Sequence, residues 1–345
     1  MSTRARDHRL DVVKGVLIAG VVVGHFLETS GGAPPDGLYS GWYQEPQRSM
    51  LTFLYLFHMP LFVLLAGITA RARSMAHRIV QMVALYLILQ VAYVLARGHE
   101  LGLEALVHPV YGLWFLLAMG WWIASLPLVQ RLGPAALPLA TAASVAAVAV
   151  PFADGDVLAW SRAVCYWPFF VAGHLYGARM LRRSAELPTA AMLPAVTVLV
   201  GITGLVVASG LHPGWFRGAD NAASMGESPL LAVAVRISCL TAAAVCAWAV
   251  LSLVPRRLSG SGHWTQKLGR HSLAVYALHI PVVFVAQTTF EQAGLGAWPA
   301  TLAAFAISAV VLAVLAMPVF DRALRATATT VADAVVPHQR SKTSV

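Results

Sequence analysis

Along this chain of 345 residues the hydrophobic and polar positions alternate in long blocks. Ten apolar segments stand out, at 12–29, 52–70, 79–96, 110–128, 134–150, 163–178, 190–208, 230–252, 272–289 and 297–318. Most approach the roughly 20 residues that the hydrocarbon core of a bilayer demands of a helix, while 134–150 and 163–178 are short. The polar stretches between them are too brief for a soluble domain. The pattern predicts an all-α, polytopic transmembrane helical bundle of about ten spans over residues 1–325. A flexible cytoplasmic tail is expected over 326–345.

The first segment carries polar residues that a bilayer helix normally avoids. LDVVKGVLIAGVVVGHFLE (10–28) contains Asp11 and Lys14 near its start and His25 well inside. Ionisable groups at that depth are costly and suggest function. Lys14 and His25 stand eleven positions apart, about three turns and about 16 Å of rise, so they share one face, with Asp11 near it. The basic residues Arg4, Arg6 and Arg9 ahead of an apolar run imitate a signal peptide. Lys14 interrupts that run and no small-x-small site follows, so a retained first span is expected.

Loop charge supplies an orientation. With the N-terminus in the cytoplasm, 19 of the 24 Lys and Arg residues fall inside, and Arg48, Arg97, Arg162, Arg217 and Arg236 fall outside with 10 of the 15 acidic residues. That bias predicts both termini in the cytoplasm. It also accounts for the net charge of +9 as attraction to an anionic leaflet, so no nucleic-acid partner is expected. A composition of 58 % hydrophobic and 11 % charged residues agrees with the membrane class. Cys165, Cys239 and Cys246 lie in apolar runs without a C-x-x-C pair, so neither a disulfide framework nor a zinc site is expected.

Further polar groups fall inside other spans. His58 lies about two turns into LTFLYLFHMPLFVLLAG, two residues before Pro60, whose missing N–H loosens the helix. His58 and His25 should lie at comparable depth in the outer half, where they can meet if the first two spans pack together. His279 in SLAVYALHIPVV also precedes a proline by two, and His174 and Arg236 complete the set. Together these residues suggest a polar cavity, which Trp114, Trp121, Trp122, Trp160 and Trp167 could line; membrane-interface tryptophans are the plainer reading. Without paired carboxylates or H-x-x-x-H spacing, no metal is expected. In the outer loops, Tyr39, Trp42 and Tyr43, and then Trp215, Phe216, Arg217, Asp220 and Asn221, suit sugar binding, since ring faces cover C–H surfaces while polar groups take hydroxyls. An aromatic belt with ordinary turns is the alternative. The inner loop SGSGHWTQKLGRHS (259–272) reads as flexible Gly/Ser ahead of a basic helix entrance.

Taken in order, the segments resemble the integral membrane acyltransferase-3 family. LDVVKGVLIAGVVVGH is similar to its opening motif, with Asp11, Lys14, Gly15, Gly24 and His25 in matching places. FHMPLFVLLAG (57–67), YGLWFLLAM (111–119), WPFFVAGHLYG (167–177) and LGRHSLAVYALHIPVV (268–283) resemble its later elements, with Ala66 where a serine is usual. The branch most resembled is the sugar O-acetyltransferases typified by fucose 4-O-acetylase. The resemblance implies transfer of an acetyl or other short acyl group from acetyl-CoA, or another acyl-CoA, to a hydroxyl of a cell-envelope carbohydrate or glycolipid. The donor is a substrate, and no permanently bound cofactor is implied. It assigns catalysis to His25 and Lys14, with Asp11, His58 and His279 assisting and Ser272 a lesser candidate. Lys14, Arg73, Arg78 and Arg270 are expected to bind the coenzyme A end. The family's Arg-x-x-Arg element is absent after the second span, where Arg73 and Arg78 are off that spacing; Arg179 and Arg182 have it in another loop. The protein is expected in a bacterial plasma membrane, amid lipids, with homo-oligomerisation left open. A proton-coupled transporter or flippase for an envelope precursor, or a silent scaffold for polysaccharide assembly, are the alternatives.

Overall fold

A computed structural model of the chain describes residues 8–31, 39–72, 74–150, 156–254 and 263–336. All regular structure among them is helical. In chain order the helices are α1 (His8–Thr29), α2 (Gln47–Tyr55), α3 (His58–Thr69), α4 (Met75–Ala96), α5 (Leu103–Val107), α6 (Trp114–Ala124), α7 (Leu126–Leu132) and α8 (Ala136–Ala149). They continue as α9 (Trp160–Glu186), α10 (Met192–Ser209), α11 (Gly214–Arg217), α12 (Pro229–Leu253), α13 (Trp264–Arg270), α14 (Ser272–Ala293), α15 (Ala297–Leu315) and α16 (Pro318–Val335).

Each of the ten apolar segments falls on helix, and eight stretches among the described residues are long and apolar enough to cross a membrane. The remaining two segments differ. The run expected at 110–128 is a short apolar helix, Tyr111–Ala124, and the next span-length stretch is Leu126–Ala149. Proline explains the earlier break: Pro127 occupies the first turn of α7, where its missing N–H costs nothing, and Pro134 follows Gly133 at φ +55°. The other segment is extended into the 27-residue α9, which holds Arg162 and His174 and ends in the charged run 179–186. The tail expected from residue 326 is helical as far as Val335.

Two more prolines leave carbonyls that must be satisfied within the bilayer. The second span divides into α2 and α3 at Leu56 and Phe57, just before Pro60. By contrast, α14 stays continuous through Pro281. There the carbonyl that a non-proline residue would have bonded, Ala277 O, accepts instead from the Tyr93 hydroxyl of α4.

Helix α1 runs through the centre and packs on α2, α3, α13, α14 and α15. Val12, Val13 and Leu17 belong to one hydrophobic cluster, while Ile18, Val21, Val22, Phe26 and Leu27 belong to a second. Its entry is fixed by the buried Arg9. That guanidinium donates to Val254 O at 3.1 Å, to Leu251 O at 2.8 Å, to Ser184 Oγ at 2.9 Å and to Leu181 O. A single cation thereby joins the C-terminal ends of α9 and α12, where exposed carbonyls favour positive charge.

Small residues set the closest crossings. A Cβ on Gly269 of α13 would lie 1.7 Å from Asp11 O, and one on Gly15 would lie 1.8 Å from Thr265 O. The α3–α9 crossing repeats the device: a Cβ on Gly67 would lie 2.1 Å from Phe170 O, and one on Gly173 2.0 Å from Leu64 O. Backbones touch there because nothing projects between them. Gly269→Ala should therefore lower the thermal-unfolding midpoint of the detergent-solubilised protein, by an overpacking cost of about 1–3 kcal/mol. Gly201→Ala on α10, where a Cβ meets nothing within 4 Å, should leave the midpoint unchanged. Equal midpoints for the two variants would show that the crossing tolerates separation.

Candidate functional site

One face of α1 lines two cavities that meet. Lys14, Val21, His25 and Glu28 recur at steps of seven, four and three, which keeps them on a common face. The cavity at the His25 end is small, about 50 Å³, and is walled by Tyr39, Tyr55, His58, Tyr111, Trp114 and Tyr166 with Arg162 and Arg217. The cavity at the Lys14 end is about 230 Å³ and mostly apolar, with Lys14, Thr69, Ser272 and Arg325 as its polar lining. Val21, Met59 and Tyr276 line both. The Tyr276 hydroxyl donates to Gly112 O, which fixes its ring where the two linings meet.

The histidines form a chain whose proton positions follow from their partners. His279 Nδ1 lies 2.8 Å from Val275 O, and a carbonyl can only accept, so Nδ1 carries the proton. In a neutral ring, His279 Nε2 is then a lone-pair acceptor. His25 Nδ1 lies 2.7 Å from it and must donate. This leaves Nε2 of a neutral His25 with the free lone pair. The His25 and His279 rings are nearly parallel, 15° apart with centroids at 5.0 Å, as an in-plane N–H···N bond requires, and His25 meets the Tyr111 ring edge-on, its centroid 4.5 Å away. Spans one and two do bring His58 to the same cavity, as their packing predicts. Its Nδ1, however, points back to Leu54 O at 2.7 Å, near the break ahead of Pro60. The partner of His25 is therefore His279, from the other end of the chain.

Glu28, one turn beyond His25, organises the rest of this cavity. It is fully buried, with Oε1 accepting from Trp42 Nε1 at 3.0 Å and from the Tyr55 hydroxyl, and Oε2 accepting from the Tyr111 hydroxyl. Three donors from three segments thus converge on one carboxylate. Around it, Arg217 lies over the Tyr39 ring at 4.4 Å and pairs with Asp220 at 3.5 Å. Arg162 lies over Trp114 at 5.2 Å and pairs with Asp156 at 3.4 Å. Burial, followed by the Glu28 charge, raises the Tyr39 phenol above its ordinary range. Burial likewise raises the Asp156 carboxyl, outweighing the guanidinium of Arg162.

Other expected site residues are distributed differently. Asp11 does not share the His25 cavity; it is buried at the far end of α1, with Arg270 Nε 3.5 Å from its carboxylate. Arg270 also approaches His8 Nδ1 at 3.4 Å, so it braces the α1–α13 crossing and does not line the Lys14 cavity. Arg78 stands one turn before Met82, which does line it. Arg73 lies outside the described residues. Among the described residues no three of His, Cys, Asp and Glu are placed to hold a metal ion.

Of the tryptophans, only Trp114 reaches the His25 cavity; Trp121, Trp122, Trp160 and Trp167 surround a separate apolar cavity of about 500 Å³. Trp42 and Trp215 are buried, Tyr43 is exposed, and Tyr39 and Arg217 are the outer-loop residues that reach the site. His174 sits at the α3–α9 crossing, and buried Arg236 contacts Cys165 Sγ at 2.6 Å. The site residues to which the sequence reading gave no role include Glu28, Tyr55, Tyr111, Arg162, Tyr166, Tyr276 and Arg325. Only Glu28 offered a local signal, three positions after His25 on the same face.

The family described as Acyltransferase domain, Acyl_transf_3, matches residues 7–317. No curated protein and no solved structure matches the chain.

Removing the Glu28 carboxylate strands three donors at once. Glu28→Ala should destabilise the protein by about 3 kcal/mol or more, at about 1–3 kcal/mol for each buried donor left unpaired. Glu28→Gln, which keeps an acceptor oxygen, should lose less. Thermal unfolding in detergent reads both, and an alanine variant as stable as the parent would remove Glu28 as the organiser.

Proposed function

This chain belongs to the acyltransferase-3 family, and from that premise we propose that it moves an acetyl or other short acyl group from acyl-CoA to a hydroxyl of a cell-envelope carbohydrate or glycolipid. It is a multi-pass membrane acyltransferase; the donor, the acceptor and a place in a bacterial plasma membrane are parts of the proposal. The observation that carries it is the pair of cavities on one face of α1, one holding Lys14 and the other His25, joined at Val21, Met59 and Tyr276.

The loop-charge bias supports a cytoplasmic Lys14 end, on the side where acyl-CoA is found. A phosphate-bearing donor would meet Lys14 there and extend its long, thin thioester arm through the apolar cavity toward Tyr276. Lys14 and His25 are separated by about 16 Å of helix rise, so a carrier arm must span the distance between them. The acceptor would occupy the His25 end, where aromatic faces and the paired arginines suit a polyhydroxylated molecule.

The chemistry then follows from the histidine chain. The acceptor hydroxyl gives its proton to His25 Nε2 as its oxygen attacks the thioester carbonyl carbon. The C–S bond breaks, the ester forms, and the departing sulfur takes the proton back from the imidazolium. His279 is a positioning residue: its Nε2 accepts the Nδ1–H of His25, fixes the reactive tautomer and steadies the positive ring. Glu28 accepts three hydrogen bonds, which suits it to holding the cavity walls and leaves it poorly placed as a base. The transporter reading rests on the same buried histidines and accounts for nothing that acyl transfer leaves over.

Cell-envelope glycans compared by mass spectrometry with and without the gene should differ by one acyl group. His25→Ala should abolish that difference while membrane insertion is kept. His279→Leu should slow transfer on the order of 10²-fold. Full acylation in the His25→Ala strain would refute this mechanism, and transport of an unmodified solute into liposomes without acyl-CoA consumption would favour the transporter.

A further inference from the structure

The matched stretch ends at residue 317, yet the helix that follows it reaches the Lys14 cavity. Helix α16 packs against α4 and α14. Ala328 and Ala332 are buried in its packed face, and Gln81 Nε2 of α4 donates to Thr329 Oγ1 at 3.2 Å. Nearer its start, Asp321 is buried and its Oδ2 lies 3.5 Å from His271 Nδ1, at the turn between α13 and α14. The same oxygen accepts from Arg325 Nε at 2.7 Å. Arg325 is thus held by its Nε, and its side chain is still 56 % exposed where it lines the cavity beside Lys14 and Ser272.

This arrangement leaves the two terminal nitrogens of a guanidinium, already oriented by a carboxylate, at the mouth of a cavity whose other cation is Lys14. Such a fork matches the oxygens of a phosphate and gives two parallel donors where a lysine gives one. Arg78 and Arg270 do not line this cavity.

We propose that Arg325, presented by α16 beyond the family-matched region, is a binding residue for the phosphate-bearing end of the donor, working with Lys14 across the cavity mouth. This rests on the acyl-CoA reading above. Asp321 sets the guanidinium through Nε, and its carboxylate lies 3.5 Å from His271 Nδ1 at the turn that leads into the His279 helix. In consequence α16 forms one wall of the donor site.

Binding to the purified full-length protein in lipid nanodiscs separates the possibilities, with free CoA and pantetheine as probes. The parent should bind CoA more tightly than pantetheine, which lacks the phosphates. Arg325→Ala should weaken CoA binding about tenfold, as the loss of one charge-assisted contact implies, and leave pantetheine binding unchanged. Arg325→Lys, which keeps the charge, should recover part of the loss. The unfolding midpoint of each variant checks the fold; a fall is expected in Arg325→Ala, which leaves the buried Asp321 carboxylate without this donor, so the contrast between CoA and pantetheine in the folded variant carries the test. Unchanged CoA affinity in Arg325→Ala, or equal weakening of both probes, would overturn this inference alone. A parent protein that binds no CoA would overturn the donor reading and this inference with it.

Discussion

The backbone contact between α1 and α13 at Gly15 and Gly269 is the constraint on which the site depends. A helix in a bilayer can rotate about its own axis without exposing polar backbone, so hydrophobicity alone does not decide which face it turns inward. Contact between the carbonyl of Asp11 and the bare Cα of Gly269 removes that freedom. Arg9, two residues before Asp11, adds a second restraint by joining α1 to the ends of α9 and α12. With its rotation and entry both set, the helix must aim Lys14 at one cavity and His25 at the other.

The His25 cavity is held by buried polar groups bonded to one another. Within a membrane an unmet donor or acceptor is costly, so each hydrogen bond here also specifies a position. Glu28 illustrates this most directly: one carboxylate determines where Trp42, Tyr55 and Tyr111 stand. Pro281 acts in the opposite sense, releasing a carbonyl that recruits a partner: Ala277 O takes the Tyr93 hydroxyl. At the α2–α3 break Leu54 O accepts from the Phe57 N–H and also meets the His58 imidazole. That contact removes His58 Nδ1 from any pairing with His25.

Two cavities with shared lining residues suit a reaction whose reactants come from different places. In the proposed reaction the wider, apolar chamber would take a long carrier arm and the small aromatic one the reacting hydroxyl. Tyr276, which lines both, is tethered to Gly112 O and stands one turn before His279 on α14. This shared lining residue and the histidine chain therefore lie on a single helix.

Much of this protein is legible along the chain. Bilayer-length apolar runs, loop charge and the eleven-residue spacing of Lys14 and His25 are properties of local sequence, and a helix turns them into positions without help from the rest of the fold. Even the glycines of the motif segments are visible, although their role as crossing points is not. Tertiary packing decided the remainder. It brought His279 to His25 across 254 residues, sent Asp11 to Arg270, buried Glu28 among three donors and drew four of the five suspected tryptophans away to another cavity. The physical reason is that helical periodicity fixes which residues share a face, whereas which face meets which neighbour depends on close backbone approach and on polar groups finding partners in the absence of water.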